Sequence, residues 1–159
     1  MEILKAKLEH VGEIALLNDA VQRLHDEHHS EVFKYPTDIA EVERFFRDRI
    51  SDDDSSIFMA WILGQAVGYV WCAIERRHEN AFKHGQERIY IHQLSVEPEY
   101  RREGVAIKLM HAVENMAREN GISRFALDSW EFNKDAHAFF EQLGFSRFNI
   151  NMWRETTKD

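Results

Sequence analysis

A pair of arginines and a glycine marks the point where a strand pattern changes into a helix pattern. Residues 95–110 read SVEPEYRREGVAIKLM, and they place Arg101, Arg102 and Gly104 just before the helix. The first turn of a helix has backbone N–H groups without partners, which attract an anion together with the helix dipole. Gly104 lets the backbone approach a bulky phosphate, and arginine can hold phosphate oxygens with two hydrogen bonds. The pattern predicts a phosphate-binding turn, with a plain strand–helix turn carrying solvated arginines as the alternative.

Two other sets of reactive side chains do not predict a functional site. His25 and His29, in RLHDEHHSE at residues 23–31, are one helical turn apart, a spacing compatible with a metal ion. No matching third ligand is evident elsewhere and a solvated helix end explains the polarity, so we predict no metal. Cys72, the single cysteine, lies within the apolar run GYVWCAI, which predicts a buried, unreactive thiol.

Size and composition are those of one globular domain over residues 1–159, with 44% hydrophobic and 30% charged residues. The net charge of −8 argues against nucleic-acid binding and permits a cationic small substrate. No apolar run approaches the roughly 20 residues of a membrane span, and the N-terminus lacks the apolar core of a signal peptide. With one cysteine, these features predict a cytoplasmic protein without nucleic-acid or membrane partners.

The elements that must position these residues follow from hydrophobic periodicity and turn residues. The predicted strand 88–96, helix 104–120 and strand 124–130 form a right-handed βαβ unit, so the two strands should be parallel. The whole order predicts a mixed α/β sheet with helices on its faces. In chain order the predicted elements are strand 2–8, helix 9–28, helix 39–50, the hairpin strands 57–63 and 66–75, loop 76–88, strand 88–96, helix 104–120, strand 124–130, helix 133–143 and one or two closing strands in 145–155.

Two segments resemble a known family. RREGVA at residues 101–106 resembles the pyrophosphate-binding signature of the GNAT acetyltransferase superfamily, Arg/Gln-x-x-Gly-x-Gly/Ala. NKDAHAFFEQLGF at residues 133–145 resembles the family's Asn-…-Ala-x-x-x-Tyr-Glu-x-x-Gly-Phe segment, in the family's order and spacing. The resemblance implies a GNAT-like fold: one domain with a central, twisted mixed sheet of six to seven strands flanked by about four helices.

The resemblance also implies acetyl-coenzyme A as the acetyl donor. Backbone N–H groups of the turn would hold its pyrophosphate. A bulge would splay the two parallel strands apart, and the pantetheine arm would pair with the exposed strand edge. The residues that the resemblance assigns to the cofactor are Leu94, Ser95, Val96, Arg101, Arg102, Glu103, Gly104, Val105, Ala106, Ile107 and Asn133.

Acetyl transfer to an amine requires a base, and His92 in YIHQLSV is the predicted one. Its imidazole is mostly neutral at pH 7, and arylalkylamine acetyltransferases of the family carry a histidine at the corresponding place. Tyr90, two residues earlier on the same face, would join a water relay. The alternative is that His92 is a half-buried sheet histidine satisfied by a neighbour. A backbone N–H near Leu94 would stabilise the oxyanion.

The thiolate that leaves has no family-style acid in this chain. Phe140 stands where the family usually has a tyrosine, and phenylalanine has no proton to give. Tyr90 or water would supply the proton instead. A coenzyme A thiolate is a fairly good leaving group even without a dedicated general acid.

The acceptor pocket in the family is usually lined by the segment that joins the first two helices. Carboxylates there would meet a cationic amine, and aromatic rings would supply a wall. Asp128 would bind an ammonium group or cap a turn. The residues predicted to bind the acceptor are Glu27, Glu31, Phe33, Tyr35, Asp128 and Trp130.

These observations favour an acetyl-coenzyme A-dependent N-acetyltransferase that acts by direct attack of a small primary amine. A polyamine, an arylalkylamine, an amino acid derivative and an aminoglycoside all fit. A protein or peptide acceptor is one alternative, and a non-catalytic coenzyme A-binding module or a phosphate sensor is another. The sequence does not set the oligomeric state, but the resemblance and the exposed edge of the closing strands are compatible with a homodimer.

Overall fold

A computed structural model describes residues 1–156 of the chain. Its larger unit, Met1–Asp128, contains a five-stranded sheet and three α-helices, and a second unit begins at Ser129. In chain order the elements are β1 (Glu2–Lys5), α1 (Val11–His29), α2 (Ile39–Ile50), β2 (Ser55–Ile62), β3 (Gln65–Arg77), β4 (Gln86–Val96), α3 (Val105–Glu119), β5 (Phe125–Leu127) and α4 (Lys134–Gln142).

The sheet has the strand order β1-β2-β3-β4-β5. The first four strands are antiparallel, whereas β5 runs parallel to β4, as the predicted βαβ unit requires. The β2–β3 hairpin turns at Leu63 and Gly64, which both have positive φ, the conformation of a type I′ turn. The turn therefore lies one residue earlier than the sequence suggested.

Helices α1 and α2 bury their apolar residues against one face of the sheet. In α2 the apolar positions Val42, Phe46 and Ile50 are four residues apart and share one side of the helix. Asp38 begins this helix, since its side chain accepts a hydrogen bond from the backbone N–H of Ala40 at 2.9 Å. Fully burying a large apolar side chain such as Phe46 stabilises the fold by roughly 1.5–3 kcal/mol. The shared core comprises Ala6, Ile14, Leu17, Phe46, Ile57, Met59, Tyr69 and Trp71.

Helix α3 packs against β2, β3 and β4. It ends as predicted, with Gly121 just beyond it in the left-handed conformation. No helix within residues 1–156 combines the length and the apolar character that a membrane crossing requires.

The predicted number of six to seven strands is wrong, because residues 145–156 form no strand. Their alternation of apolar and polar residues suits a strand, but a strand also needs a hydrogen-bonding neighbour, and none of the described strands pairs with them. Their apolar side chains Phe148, Ile150, Met152 and Trp153 are exposed.

Two predicted boundaries also change for identifiable reasons. The charged loop predicted at 76–88 is shorter, because its charges pair across β3 and β4: Arg76 binds Glu87 at 2.8 Å and Arg88 binds Glu75 at 2.7 Å. The strand predicted at 124–130 ends at Leu127.

The second unit is built around α4. Asn133 caps this helix as predicted, since its side chain accepts a hydrogen bond from the backbone N–H of Ala136 at 3.2 Å. Phe140 packs edge-on against Phe139 and Phe145, with ring centroids 5.2 and 5.3 Å apart. The residue in place of the family's tyrosine is therefore part of an aromatic cluster.

Candidate active site

A bulge in β4 places His92 outside the regular pairing of the sheet. Cys72 of β3 pairs with Ile91, but its neighbour Trp71 pairs with Gln93. His92 is the extra residue between these pairs, which is the definition of a β-bulge. Such a bulge bends the strand and turns a side chain away from its regular direction.

The parallel pairing of β4 with β5 ends at this bulge. It covers only Ile89–Ile91 opposite Phe125–Leu127. Beyond it, Gln93–Val96 pair with β3 on one side, and no other described strand pairs with them. The bulge also explains why β5 is so short. The backbone at Leu94–Val96 is consequently an edge without a described strand partner, called the open edge below, to which an extended chain can add.

The turn before α3 is left-handed at two positions, Arg102 with φ of 65° and Gly104 with φ of 79°. Gly104 is the N-cap and has no side chain to cap the helix, so the first N–H groups of α3 are not satisfied in that way. Arg101 fastens the turn to the strand, because its Nε donates to the carbonyl oxygen of Val96 at 3.1 Å. Arg101 and Arg102 are both exposed.

The other residues predicted to bind the donor differ in how far they are exposed to solvent. Ser95 is buried, and its hydroxyl donates to the carbonyl oxygen of Leu17 in α1 at 3.0 Å. Glu103 and Ile107 are exposed, whereas Val105 is buried beneath the helix. Ala106 is half-buried.

His92 stacks on Trp71, with ring centroids 4.2 Å apart and an angle of 17° between the rings. Partial burial lowers the pKa of His92 below its usual value; the charge of Glu75 opposes this shift and that of Arg49 adds to it. His92 is nevertheless exposed to solvent. A neutral imidazole that is accessible at pH 7 can accept a proton.

Tyr90 lies beside His92, as predicted, with ring centroids 4.8 Å apart. Its hydroxyl donates a hydrogen bond of 2.5 Å to Asp128 Oδ2. Burial, together with the hydrogen bond and charge of Asp128, raises the pKa of Tyr90 well above its usual value. Tyr90 therefore stays protonated at neutral pH and releases its proton reluctantly.

The segment after α1 is held against that helix by side chains. The Tyr35 hydroxyl donates to Asp19 Oδ2 at 3.2 Å, and Gln22 Nε2 donates to the carbonyl oxygen of Lys34 at 2.9 Å. The ring of Phe33 lies 4.7 Å from that of His25. The segment that contains Phe33 and Tyr35 is thus ordered on α1.

The two acidic residues predicted near this segment differ in their contacts. Glu31 accepts a hydrogen bond from His29 Nδ1 at 2.9 Å. A backbone hydrogen bond, followed by the contact with His29, lowers the pKa of Glu31. Glu27 is exposed in the last part of α1. Within residues 1–156, no three metal-ligating side chains are grouped closely enough to hold a metal ion.

Two of the predicted residues, Trp130 and Asn133, belong to the second unit. The ring of Trp130 lies 6.4 Å from Phe132 and 5.9 Å from Trp153. Asn133 caps α4 through its side-chain oxygen.

Sequence reasoning missed Trp71 of β3, which stacks on His92, and the residues of α2 that contact Trp71. Arg49 lies over the rings of Phe45 and Trp71, with its Cζ 5.1 and 5.9 Å from their centroids. The spacing of Phe45 and Arg49, one helical turn apart, indicates a cation–π pair. No sequence signal joins that pair to Trp71, because the contact depends on how α2 packs on the sheet.

A buried polar network also joins α1 to the strand segment beside the bulge. Asn18 Nδ2 donates to the hydroxyl of Tyr69 at 3.0 Å, and this hydroxyl donates to Gln93 Oε1 at 2.8 Å. Asn18 also reaches Gln93 Oε1 at 3.3 Å. Because Gln93 directly follows His92, this network fixes one side of the bulge.

Comparison with known proteins gives consistent results. The family model described as Acetyltransferase (GNAT) family matches residues 18–145. YhfO of Bacillus subtilis, named an uncharacterized N-acetyltransferase, is 26% identical over 116 residues, which are 72% of this chain and 74% of that protein. A tetramutant of the BH1408 protein from Bacillus halodurans has a TM-score of 0.90 at 18% identity, covering 98% of this chain and 100% of that one. The aminoglycoside N-acetyltransferase AAC(6')-Iy in complex with CoA has a TM-score of 0.78 at 18% identity, covering 98% and 93%. The two structures share this fold.

Proposed function

The chain belongs to the GNAT acetyltransferase family, and from this premise we propose that it transfers the acetyl group of acetyl-coenzyme A to a small primary amine. The N-acetyltransferase class predicted from the sequence is confirmed by the family match and the related protein. The identities of the acetyl donor and of the acceptor are what we propose. The cytoplasmic location, the homodimer and the single domain over residues 1–159 stay predictions.

The turn before α3 fits the diphosphate of the donor. A Cβ built on Gly104 would meet nothing within 4 Å, so the approach to this backbone is open. The left-handed conformations of Arg102 and Gly104 leave the first N–H groups of α3 to an anion, and the two exposed arginines add positive charge. The open edge at Leu94–Val96 would hold the pantetheine arm by backbone hydrogen bonds. When bound, the donor supplies a thioester, whose carbonyl carbon receives the amine.

His92 is the base in this proposal. It stands at the bulge, next to the open edge, and desolvation lowers the pKa of its imidazole, which favours the neutral form. It would take the proton from the acceptor's ammonium group, either directly or through water. A backbone N–H near Leu94 would stabilise the developing oxyanion. Trp71 fixes the ring plane of His92 by stacking.

Tyr90 has a positioning role rather than an acid's role. Its raised pKa makes proton transfer to a thiolate unfavourable, because a thiol has an ordinary pKa of about 8.5. Tyr90 instead holds Asp128 through a short hydrogen bond and packs beside His92. The departing thiolate would take its proton from water.

The acceptor would approach from the side of His92 on which α2 lies. Phe33 and Tyr35 would supply an apolar wall, and Glu27 and Glu31 negative charge. Asp128, held by Tyr90, would attract the ammonium group. The assignment of Asn133 to the pantetheine arm stays a prediction from the sequence. The assignment of Trp130 to the wall of the acceptor pocket also stays a prediction.

The observation that carries this proposal is that the extra residue of the bulge is a histidine, His92, at the point where β4 and β5 stop pairing. A thiol-release assay with acetyl-coenzyme A and panels of amines and peptides tests it. We expect turnover with small amines and a loss of roughly 10²-fold or more in His92→Gln. His111→Gln, an exposed histidine on α3, is the matched control and should keep full activity.

The outcomes separate the alternatives. Turnover with peptides alone would replace the small amine by a protein acceptor. Failure of the purified protein to bind coenzyme A or its acetyl form in calorimetry would remove the donor from the proposal. Equal turnover in His92→Gln and His111→Gln would remove His92 as the base.

A further inference from the structure

Arg49 is a charged side chain with an unmet hydrogen-bonding requirement. Its Nε is shielded from solvent and has no hydrogen-bond acceptor among the described residues. Its guanidinium group also makes no ion pair within 4 Å in the part of the chain that the structure covers. A shielded donor of a charged group costs free energy when no acceptor meets it. An anion bound to the guanidinium nitrogens other than Nε would offset part of this cost through its opposite charge.

Arg88 in β4 shows the contrast. It is 9% exposed, its Nε donates a hydrogen bond to Glu75 Oε2 at 2.9 Å, and its Nη2 forms an ion pair with the same oxygen at 2.7 Å. Its charge is thus neutralised within the fold. The charge of Arg49 is left to contacts with the faces of aromatic rings, which supply no hydrogen-bond acceptor in the plane of the guanidinium group.

Arg49 is one aromatic ring away from the proposed base. The ring of Trp71 has His92 stacked on it at 4.2 Å and the Cζ of Arg49 at 5.9 Å. A guanidinium group that lies over a ring presents its N–H groups at its edge, where a carboxylate can accept two of them. An acceptor that spans this ring would place its anion at Arg49 and its amine at His92.

Charges of opposite sign are each one aromatic ring away from His92. Arg49 lies over Trp71, which stacks on His92, and Asp128 accepts a hydrogen bond from Tyr90, which packs beside His92. A purely cationic acceptor such as a polyamine would be repelled by the first of these charges. A molecule that carries both an ammonium group and a carboxylate matches both of them.

We propose that Arg49 binds a carboxylate of the acceptor, so that the substrate is an amino acid or a similar amino-carboxylate rather than a simple amine. This inference rests on the proposed acetyltransferase function and narrows its acceptor. Arg49 is a specificity-determining residue: it holds the acceptor, and the proton transfer is left to His92.

The test is a thiol-release assay with acetyl-coenzyme A and a series of amino acids, each paired with its carboxamide, which keeps the amine and lacks the charge. We expect wild-type kcat/KM to favour the acids by about 10- to 100-fold, the range for a hydrogen bond to a charged group. Arg49→Gln should abolish this preference by raising the KM of the acids, and the KM of acetyl-coenzyme A should stay constant. Arg49→Lys keeps the charge without the planar fork and should lose part of the preference.

Arg47→Gln is the matched control, because it removes the same charge from an exposed position on the same helix. It should keep the wild-type preference for the acids. A preference that survives in both Arg49 variants overturns the inference, and so does a rise in the KM of acetyl-coenzyme A alone. Equal turnover of acids and carboxamides by the wild type overturns the inference and leaves the acetyltransferase function standing. Turnover of neither class, without acetyl-coenzyme A binding, contradicts the proposed function itself.

Discussion

The backbone at the open edge of β4 lies directly against a glycine of the neighbouring strand β3. Replacing this glycine by a larger residue should displace the edge. Gly68 in β3 lies opposite Val96, and a Cβ added there would meet the carbonyl oxygen of Ser95 at 2.7 Å. An ordinary contact begins at 3.4 Å, so Gly68→Ala requires a movement of about 0.7 Å. The obstructing atom belongs to the backbone, so the movement falls on Ser95 and Val96, the residues proposed to pair with the pantetheine arm.

Two effects of Gly68→Ala should be measurable. Overpacking of a buried strand position destabilises a fold by about 1–3 kcal/mol, which a denaturant titration would detect. Misplacement of a binding edge by up to 1 Å can cost about 10²-fold in rate, so we expect at least a tenfold loss in kcat/KM, with a raised KM for acetyl-coenzyme A.

Gly64→Ala separates the two effects. Gly64 lies in the β2–β3 turn with φ of 80° and has nothing within 4 Å of an added Cβ. The variant should lose roughly 1–2 kcal/mol through backbone strain alone and keep the wild-type KM for acetyl-coenzyme A. If Gly68→Ala loses stability but binds acetyl-coenzyme A as the wild type does, the edge of β4 does not hold the donor and the reasoning is refuted.

Three further changes test other parts of the account. Tyr69→Phe removes the hydroxyl between Asn18 and Gln93 and should lower the free energy of unfolding by about 1–3 kcal/mol; an unchanged denaturation midpoint would contradict the role of this network. Arg102→Gly relieves a left-handed conformation that costs an L-residue about 1–2 kcal/mol, so stability should hold or rise while calorimetric affinity for coenzyme A falls. Equal affinity would place the diphosphate elsewhere. Asp38→Ala removes the N-cap of α2 and should cost about 1 kcal/mol in thermal unfolding.

Much of the fold could be predicted from the sequence because local signals and tertiary packing agree. Asp38 and Asn133 begin their helices, and Gly121 and Gly144 follow theirs in the left-handed conformation. The closing strands were predicted wrongly because alternation at residues 145–155 reports only which faces are apolar. A strand is decided by its hydrogen-bonding neighbour, and that neighbour is a property of the tertiary structure.

The candidate site was only partly predictable, for a similar reason. His92 and Gly104 are visible in the sequence because their residue types and local context suggest chemistry. That His92 is the extra residue of a bulge follows from how β3 and β4 pair, and no residue type signals it. Arg49 was overlooked because a helix arginine is usually solvated, and only the packing of α2 brings it over Trp71.

The pH dependence of kcat/KM in the wild type and in His92→Gln tests the central claim most directly. A base acts in its deprotonated form, so activity should be complete above the pKa of His92 and fall as the pH drops through it. Because burial lowers that pKa below its usual 6.5, the account predicts a decline confined to lower pH and a plateau through neutrality. In His92→Gln this decline should vanish and the plateau should fall by roughly 10²-fold. The same decline at the same pH in the variant would show that another group takes the proton.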